Sequence, residues 1–559
     1  MKNGLGKILI AGLAIVATAS FASCRGGREE KSKDPNTINV RLYKRGFGDE
    51  FIYDLRDQFE TLYADKGYKM KILTPSSDSG GGAMVQEMYG NDFADLYIIG
   101  DCTPNMVSDL GEYGEVAADI EELVYNKPSI DYSGNEGKTV KELINPDLEQ
   151  FLRADNNKMY GFAWAQASAG LVVNIQKLKK YGINETPRTS KEFLAACRTI
   201  YEKTKDGKTT TLPLTYTIGN TGYSDCAFYQ WFAQLGIDKF NEFVRFQTKN
   251  GNTWTDMTSI SSLFEDEDLY ETILEAYRFM DPHLAAKGSV TQDLDQAQQK
   301  MVDNGAKDDA VFMFNGDWFL NEIKENFPST LDQFNFINVP VISKVGKNVF
   351  CKEPYNKNED EADVLLSYTC KLIDQNKSTT EIKTDLQSNK GIEISDADLK
   401  VICDARGLSY ARGPEHLGFI AKKSEKKEIS ALVLRMMASN DYARTFMTTS
   451  NCSTPYATDI KDLSTNTFVN QARDICTNQY FRGVRAYIRG KRALAQMNTF
   501  FPGCEYISKT IATSPNQSTI LDGKGGYLDN VDDKVYQDAA RAFFNKTKTE
   551  AEKAWERGK

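Results

Sequence analysis

The chain has 559 residues and a formal net charge of −10, with 41% hydrophobic and 26% charged residues. Its length allows two to four domains with substantial cores, and its acidic balance argues against a nucleic-acid-binding surface. Only two histidines are present, which excludes a histidine-rich metal centre, and no phosphate-loop, zinc-protease or hydrolase motif occurs. We therefore expect no metal and no cofactor. The ten cysteines contain no C-x-x-C pair, so we expect mostly buried thiols and leave disulfide pairing open.

The first 23 residues have the features of a secretory signal peptide. Lys2 and Lys7 precede an apolar run over residues 8–17, and a small-residue segment leads to Cys24. The apolar run is too short to span a membrane comfortably. Residues 24–36 are polar and carry charges of both signs, which predicts a flexible tether.

The first folded segment alternates between strand-like and helical patterns, which lie at residues 38–42, 51–63, 68–72, 84–89 and 96–99. This order predicts a parallel sheet covered on both faces, with ligand-binding loops at the carboxyl ends of its strands. Phe47 and Asp101 follow two of the strands, so we expect both residues near a site. Tight turns explain the neighbouring glycines, Gly46 and Gly48, equally well.

The stretch from Met159 to Lys203 combines an aromatic turn, a buried strand and an amphipathic helix. Trp164 and Gln166 precede the strand, and a capping box over residues 189–192 predicts the start of the helix.

Residues 212–217 predict a further strand, which leads to a loop containing Asn220 and Tyr223. An aromatic residue in this loop is hard to explain by packing. The helix that follows carries Trp231 on an apolar stripe, which is more typical of a core residue than of a ligand contact. The region over residues 240–305 is then predicted to be mostly helical.

A second informative motif runs from Ala310 to Trp318. An apolar strand leads into Asn315, Gly316 and Asp317, and Trp318 follows in the first turn of a predicted helix. The alternative interpretation is a helix N-cap formed by Asn315 or Asp317, with the tryptophan in the core.

Residues 346–406 form a long insertion whose role the sequence does not indicate. Capping boxes begin at Ser378 and Ser395 and predict two short helices. Part of the insertion is highly charged, so we expect a surface elaboration. The chain then continues through a loop that contains Arg412 to a short strand and a lysine-rich helix entry.

Several of these stretches together resemble the carbohydrate-binding solute-binding proteins of ABC transporters, the maltose-binding-protein-like group. They are the aromatic turn, strand and T-x-x-E-F helix within residues 159–203, the NGDW motif that ends at Trp318, and GFIAKKSEKKE over residues 418–428. The run over residues 335–342, a strand with a proline near its end, is similar to the family's return crossing between lobes.

The resemblance implies an α/β fold of the two-lobed, type II periplasmic-binding-protein kind. Its discontinuous lobes are joined by hinge crossings, and the ligand cleft lies between them. One lobe would comprise residues 37–165 and about 407–455, and the other residues 166–345 and about 456–559. Residues 346–406 would be inserted between these parts.

The resemblance further implies a non-enzymatic, monomeric lipoprotein that captures a sugar or oligosaccharide by lobe closure and delivers it to an ABC permease. Cys24 would be acylated and would anchor the protein to the membrane on its extracytoplasmic side. Phe21 stands where the usual lipidation motif has leucine, and a plain secretory signal peptide is the alternative. A lipoprotein glycosidase, which needs only two carboxylates, and a glycan-binding surface adhesin are the other functions left open.

Sugars present hydroxyls and an apolar ring face, so a sugar site needs aromatic platforms and polar side chains that form planar hydrogen bonds. The predicted platforms are Trp164, Trp318 and Tyr223, with Phe47 nearby. The predicted hydrogen-bonding residues are Asp101, Gln166, Asn220, Asp317 and Arg412.

Overall fold

The computed structural model describes residues 30–42, 46–73, 81–100, 102–108, 114–134, 136–149, 151–204, 211–217, 223–251, 253–279, 284, 292–302, 309–411, 416–458, 460, 466–484 and 533–557. The strands are β1 (Thr37–Leu42), β2 (Lys69–Leu73), β3 (Leu96–Gly100), β4 (Pro128–Ile130), β5 (Glu136–Thr139), β6 (Phe162–Ala163), β7 (Ser168–Asn174), β8 (Leu212–Thr215), β9 (Gln247–Asn250), β10 (Thr253–Asp256), β11 (Ala310–Gly316), β12 (Phe334–Ile337), β13 (Leu408–Ala411), β14 (His416–Ile420) and β15 (Arg482–Val484).

The helices of the first half are α1 (Glu50–Leu62), α2 (Gly81–Tyr89), α3 (Pro104–Ser108), α4 (Val140–Leu143), α5 (Pro146–Glu149), α6 (Ile175–Lys180), α7 (Ser190–Thr204), α8 (Tyr223–Leu235), α9 (Ile237–Arg245) and α10 (Glu267–Phe279). Those of the second half are α11 (Leu294–Val302), α12 (Phe319–Ile323), α13 (Lys344–Phe350), α14 (Glu359–Asp374), α15 (Thr379–Lys390), α16 (Asp396–Gly407), α17 (Lys427–Met437), α18 (Asn440–Ser450), α19 (Thr467–Thr477) and α20 (Lys534–Arg557).

The first sheet forms the centre of one lobe and has the strand order β2-β1-β3-β14-β6. β1 runs parallel to β2 and β3, and β14 returns antiparallel beside β3. Ile38, Val40 and Leu42 lie on one face of β1 and are fully buried, and Leu96, Tyr97, Ile98 and Ile99 of β3 are fully buried on both faces of the sheet. The predicted alternation of strands and helices is therefore present in this lobe.

The second sheet has the order β15-β13-β7-β11-β8, with β12 also paired to β7. All seven residues of β7 and of β11 are buried, which places these strands at the centre of the lobe. One edge of β7 is shared by two strands, because β13 pairs with Ser168 and Ala169 and β12 pairs with residues 171–174. Two sheets covered by helices give the α/β, two-lobed fold that the sequence predicts.

The chain first passes from one sheet to the other over residues 164–167. It returns between Ala411 of β13 and His416 of β14. On one side of this passage Ala163 pairs with Leu417, and on the other side Ser168 pairs with Ala411. The two passages therefore leave the first sheet as neighbours and enter the second sheet as neighbours.

The predicted return crossing over residues 335–342 is not where the chain returns. Those residues begin with β12, which pairs with β7 inside the second sheet, and continue into the core of the same lobe. β13 also lies in the second sheet, although the predicted boundary assigned residues from about 407 to the first lobe. A strand with a nearby proline has the same sequence pattern whether it crosses between lobes or ends within one.

The inserted helices are part of the second lobe's core rather than a surface elaboration. Ser378 and Ser395 cap α15 and α16 as predicted. A further capping box at Asn358 begins the longer helix α14, which the sequence analysis missed. Leu366 and Ile402 are fully buried against the lobe's other apolar residues. The charges at the start of α14 concealed an apolar stripe at helical spacing.

Two other expectations concern the second lobe. The region predicted to be mostly helical contains a β-hairpin formed by β9 and β10. Trp231 is a core residue, as expected: it is fully buried, its indole N–H donates to the Pro340 carbonyl at 3.1 Å, and it stacks on Phe279.

The eight cysteines that the structure describes are free thiols, and most are buried. Their burial agrees with the expectation of small apolar residues. Within the described ranges, no helix combines the length and apolarity that a membrane span requires.

Candidate functional site

Five of the predicted site residues meet where the two sheets approach one another. Phe47 follows β1, Trp164 and Gln166 lie in the first passage between the sheets, and Asp317 and Trp318 follow β11. All five side chains are buried in this structure. We call this region the inter-lobe face.

Aromatic rings occupy the centre of the inter-lobe face. The Phe47 ring centroid lies 5.1 Å from that of Trp164, 5.9 Å from Trp318 and 5.0 Å from His416. The contact between Phe47 and Trp318 joins the two lobes. A sugar ring between two aromatic platforms needs roughly 7 Å, because each stacking contact takes about 3.5 Å. A sugar could therefore enter between these two rings only if the lobes moved apart.

Trp318 reaches its position because two glycines leave room for the indole ring. A Cβ atom on Gly316 would lie 2.2 Å from the ring, and one on Gly46 would lie 2.8 Å from it. Trp318 packs with the apolar residues of the first lobe although its backbone belongs to the second. Neither Asn315 nor Asp317 caps α12, so that part of the alternative interpretation is wrong, whereas its other part, a tryptophan packed in the core, agrees with this structure.

Trp164 is anchored in the first lobe. Its indole N–H donates to the Ile99 carbonyl at 3.1 Å, and its ring stacks on Phe51 at 5.5 Å with an interplanar angle of 18°. The hydrogen bond and the stacking contact indicate that Trp164 stabilises the first lobe. Contact between Trp164 and a ligand remains a prediction.

Asp317 is fully buried, and neither carboxylate oxygen reaches good hydrogen-bond geometry with a partner in the part of the chain that the structure describes, although the backbone N–H groups of Ser168 and Asp317 lie near enough to favour the charged form. Its backbone N–H donates to the Ser168 carbonyl at 2.9 Å, which fixes the residue beside the first passage. Burial raises the pKa of the carboxyl group to about 7, because a charge is poorly solvated there. The side chain can accept hydrogen bonds from a ligand that enters the face, or donate one when protonated.

Gln166 and Asp317 are connected by Ser168, because both residues donate a hydrogen bond to it. The Gln166 side-chain amide donates to Ser168 Oγ at 3.3 Å, and its backbone N–H donates to the Ser453 carbonyl at 2.9 Å. The Cys452 thiol donates to the Asp317 carbonyl at 3.6 Å. Polar groups from both lobes thus surround one edge of the aromatic cluster.

Further contacts hold the lobes against each other. The Asn321 side-chain amide of α12 donates to the Gly46 carbonyl. Lys324 donates to the Thr449 carbonyl at 3.0 Å and lies 3.5 Å from the Glu50 carboxylate. These bonds connect the two lobes at the rim of the face and must break when the lobes separate.

Five of the predicted residues fall where the structure describes no side chain. Asp101, Asn220, Arg412 and Cys24 lie outside the described residues, and Tyr223 is described only as the first residue of α8.

The sequence analysis also missed three residues of the face. His416 and Phe446 pack on the Phe47 ring. Asn321 donates a hydrogen bond to the carbonyl of Gly46, the residue before Phe47. His416 could have been found as the first residue of the strand after the return passage, whereas the other two carry no local signal. In the described residues, no cluster of histidine, cysteine or carboxylate side chains is arranged to hold a metal ion.

The profile of one protein family, described as bacterial extracellular solute-binding protein, matches residues 51–355, which is more than half of the chain. The chain belongs to this family. A curated relative of this solute-binding protein is the melibiose/raffinose/stachyose-binding protein MelE of Bacillus subtilis (strain 168), 28% identical over 123 residues. That match covers 22% of this chain and 24% of MelE, so the chain spans about a quarter of the relative's length.

Solved structures agree with the fold of this solute-binding protein. A probable secreted solute-binding lipoprotein from Streptomyces coelicolor has a TM-score of 0.53 at 13% identity, covering 91% of this chain and all of the other. The apo form of RafE from Streptococcus pneumoniae has a TM-score of 0.52 at 13% identity, covering 93% of this chain and all of RafE. An ABC substrate-binding protein from Listeria monocytogenes in complex with cycloalternan has a TM-score of 0.51 at 12% identity, covering 92% and 99%. At these identities the likeness concerns the fold alone.

Proposed function

We propose that this solute-binding protein captures an oligosaccharide at the inter-lobe face and delivers it to an ABC permease. In this proposal Cys24 carries the lipid anchor that holds the protein on the extracytoplasmic side of the membrane. The observation that carries the proposal is the buried, unpartnered carboxyl group of Asp317 beside aromatic rings from both lobes.

The chemistry of the face suits a carbohydrate. Trp318 and Phe47 offer apolar surfaces to a sugar ring, while Asp317 and Gln166 offer hydrogen bonds to hydroxyls. A carboxylate that accepts bonds from hydroxyls makes charge-assisted contacts, which are stronger than neutral ones. The names of relatives support an oligosaccharide, since MelE is named for melibiose, raffinose and stachyose and the Listeria structure holds cycloalternan.

Lobe closure would couple binding to delivery. A ligand that touches both lobes favours the form in which they are together. Shifting the population from mostly open to mostly closed requires about 5.5 kcal/mol of differential affinity. A micromolar ligand gains about 8 kcal/mol in total, which is sufficient.

The test is a thermal-shift and calorimetric screen of the chain from Arg25 onward, using melibiose, raffinose, stachyose, cycloalternan, simple hexoses, amino acids and short peptides. At a hundredfold excess over Kd, a true ligand adds about 2.7 kcal/mol to the free energy of unfolding. We expect an oligosaccharide to give this shift without being hydrolysed. A response to peptides alone would overturn the proposal, and release of monosaccharide would favour a glycosidase.

Substitution connects the ligand to the face. Trp318→Ala should raise the Kd for the identified sugar at least tenfold, because stacking on one platform is lost. Trp254→Ala is the matched control, since Trp254 lies on the β9–β10 hairpin and contacts Arg245 rather than the face. Equal loss of affinity in the two variants would contradict the assignment.

The permease step is tested in cells. Deleting the gene should abolish uptake of the identified sugar, and the unaltered gene should restore uptake. A Cys24→Ala chain should be released from the membrane fraction. Normal uptake in the deletion strain would instead favour a glycan-binding adhesin.

A further inference from the structure

The helix α12 is attached to the second lobe by one of its faces. Phe319, Leu320 and Ile323 are buried and belong to one apolar cluster with Met313 of β11 and Phe334 of β12. These contacts fix the helix to the second sheet. Residues on the opposite face of α12 therefore move with the second lobe when the lobes open or close.

The opposite face of α12 meets a turn of the first lobe. Trp318, Asn321 and Glu322 have the i, i+3, i+4 spacing that places side chains on one side of a helix. The turn is formed by residues 46–48, which follow β1 and include Phe47. We call the meeting of these two segments the α12 contact.

All three side chains of this helix face reach the turn. The Asn321 amide donates to the Gly46 carbonyl, and its nitrogen lies 3.6 Å from the position of a Cβ on Gly48. A Cβ on Gly46 would lie 2.8 Å from both the Trp318 ring and the Glu322 carboxylate. Real Cβ atoms do not come this close to other heavy atoms, so the contact has room only for glycine at the first position of the turn.

Neither of the groups that face Gly46 is free to move aside within the second lobe. The Gln298 side-chain amide of α11 donates to the Glu322 carboxylate, and Gln298 is buried. Trp318 is only 5% exposed, and its ring packs against Phe47. The simplest way to make room for a larger residue than Gly46 is therefore to move the lobes apart.

We propose that Gly46 and Asn321 are positioning residues for lobe closure, which keep Phe47 against Trp318 and thereby slow the release of a ligand from the inter-lobe face. All atoms of the α12 contact belong to the chain, so it favours the closed form with or without a ligand. The effect on ligand release rests on the proposed function, whereas the effect on closure rests only on the two-lobed fold.

The proposal makes a kinetic distinction. The α12 contact exists only in the closed form, because its two sides belong to different lobes. A ligand enters the open form, so a weaker contact should raise the dissociation rate and leave the association rate nearly unchanged. A residue that only supports the fold of one lobe would change the stability of that lobe and neither rate.

The first variant is Asn321→Asp, studied in the chain from Arg25 onward. It keeps the size of the side chain but replaces the N–H donor with a carboxylate oxygen, which cannot donate to the Gly46 carbonyl. In stopped-flow measurements we expect the identified oligosaccharide to leave roughly tenfold faster, with the association rate changed less than twofold, because a lost hydrogen bond costs about a factor of ten. Asn184→Asp, at an exposed position before α7, is the matched control.

The second variant, Gly46→Val, inserts a side chain into the α12 contact. The φ angle of Gly46 lies outside the left-handed region, so its backbone accepts valine once the lobes are apart. Small-angle X-ray scattering of the ligand-free chain should give a larger radius of gyration for Gly46→Val than for the unaltered chain, with a smaller increase for Asn321→Asp. Gly82→Val, in the exposed first turn of α2 where a Cβ meets no atom within 4 Å, is the matched control.

An unchanged radius of gyration in both variants would overturn the proposal, as would a slower association with an unchanged dissociation rate. If Gly46→Val fails to fold, Asn321→Asp decides the question alone, since its side chain has the native size. If no oligosaccharide binds, the proposed function fails, but scattering from the ligand-free chain still decides whether the α12 contact holds the lobes together.

Discussion

Two buried carboxylates show how the first lobe differs from the inter-lobe face. Asp95, which precedes β3, is 6% exposed, and its oxygens accept from the Asn39 backbone, the Asn39 side chain and Ser424 at 2.7–3.1 Å. Lys426 lies 3.6 Å away. Asp317 is equally buried but makes no such bonds in the described chain. The two residues differ in hydrogen bonding rather than in burial.

This difference in hydrogen bonding distinguishes a carboxylate that holds the fold together from one that is available to a ligand in the proposed function. Asp95 connects β1, β3 and the segment after β14, so its bonds are used up within the folded lobe. The bonding capacity of Asp317 is unused within the described residues, and the proposed function supplies a ligand for it once the lobes move apart. A buried polar group without partners is costly to keep, and such groups concentrate at sites of function.

The largest effect is expected from Trp164→Ala, which tests whether this residue belongs to the first lobe or to the face. Removing a buried tryptophan should lower the free energy of unfolding by about 3–5 kcal/mol, because a cavity remains and the Ile99 carbonyl loses the indole N–H. Urea denaturation measures the loss, with Trp254→Ala as the control. A loss below about 1 kcal/mol together with abolished sugar binding would place Trp164 on the face instead.

Asp95→Ala should be the next most damaging change. Its removal leaves the Asn39 backbone N–H and the Ser424 hydroxyl without this acceptor and removes the negative charge beside Lys426, which should cost about 3 kcal/mol. Chemical denaturation checks this value, and sugar affinity should stay unchanged. A stable Asp95→Ala protein would remove the distinction drawn between the two carboxylates.

Asp317→Asn should raise the free energy of unfolding at neutral pH, whereas Asp95→Ala lowers it. The folded state holds a proton on Asp317 up to about pH 7, whereas the unfolded chain releases it near pH 3.9. Stability therefore falls as pH rises from about 4 to about 7 and is level above that. The asparagine variant should lack this fall and be more stable at pH 8, by about 2 kcal/mol, because roughly 4 kcal/mol of proton linkage is offset in part by the cost of burying an unpaired amide.

Thermal melts of both proteins at pH 4, 6 and 8 measure this difference. The two curves should come close together at pH 4, where the aspartate is protonated in the folded state and about half protonated in the unfolded chain. Parallel curves over the whole range would show that Asp317 keeps its charge in the folded protein. The same variant should bind the sugar more weakly, since a carboxylate is lost.

The smallest effect is expected at Ala167, which ends the first passage between the sheets with a positive φ of 49°. A left-handed conformation costs an alanine about 1–2 kcal/mol, and glycine avoids this cost but loses more entropy on folding. Ala167→Gly should therefore stabilise the protein by roughly 0.5 kcal/mol, measured by calorimetry. Ala165→Gly, a buried neighbour without positive φ, should destabilise it, and the reverse order would contradict the strain argument.

Local sequence patterns predicted those helices and strands that are specified by residues close together in the sequence. The alternation in β1, the capping box at Thr189 and the apolar run of β11 each specify an element through nearby residues. The return passage and the packing of the inserted helices depend on contacts between residues far apart in sequence. Pro340 near the end of β12 has the same local signal in either topology, so no local rule could choose.

The site could be predicted only as a set of loop residues. Asp317 and Trp318 stood out because a polar and an aromatic residue follow a buried strand. The anchoring of Trp164 to Ile99 could not be foreseen, since the partner lies 65 residues away. The glycines that admit the Trp318 ring read as ordinary turn residues until their neighbour is known.

The first passage between the sheets limits how far the lobes can separate. Only four residues lie between Ala163, which pairs in the first sheet, and Ser168, which pairs in the second. A fully extended chain spans at most about 3.5 Å per residue, so these two strand ends can never be more than about 17 Å apart. The lobes must therefore open by rotating about this short tether rather than by moving apart as whole bodies.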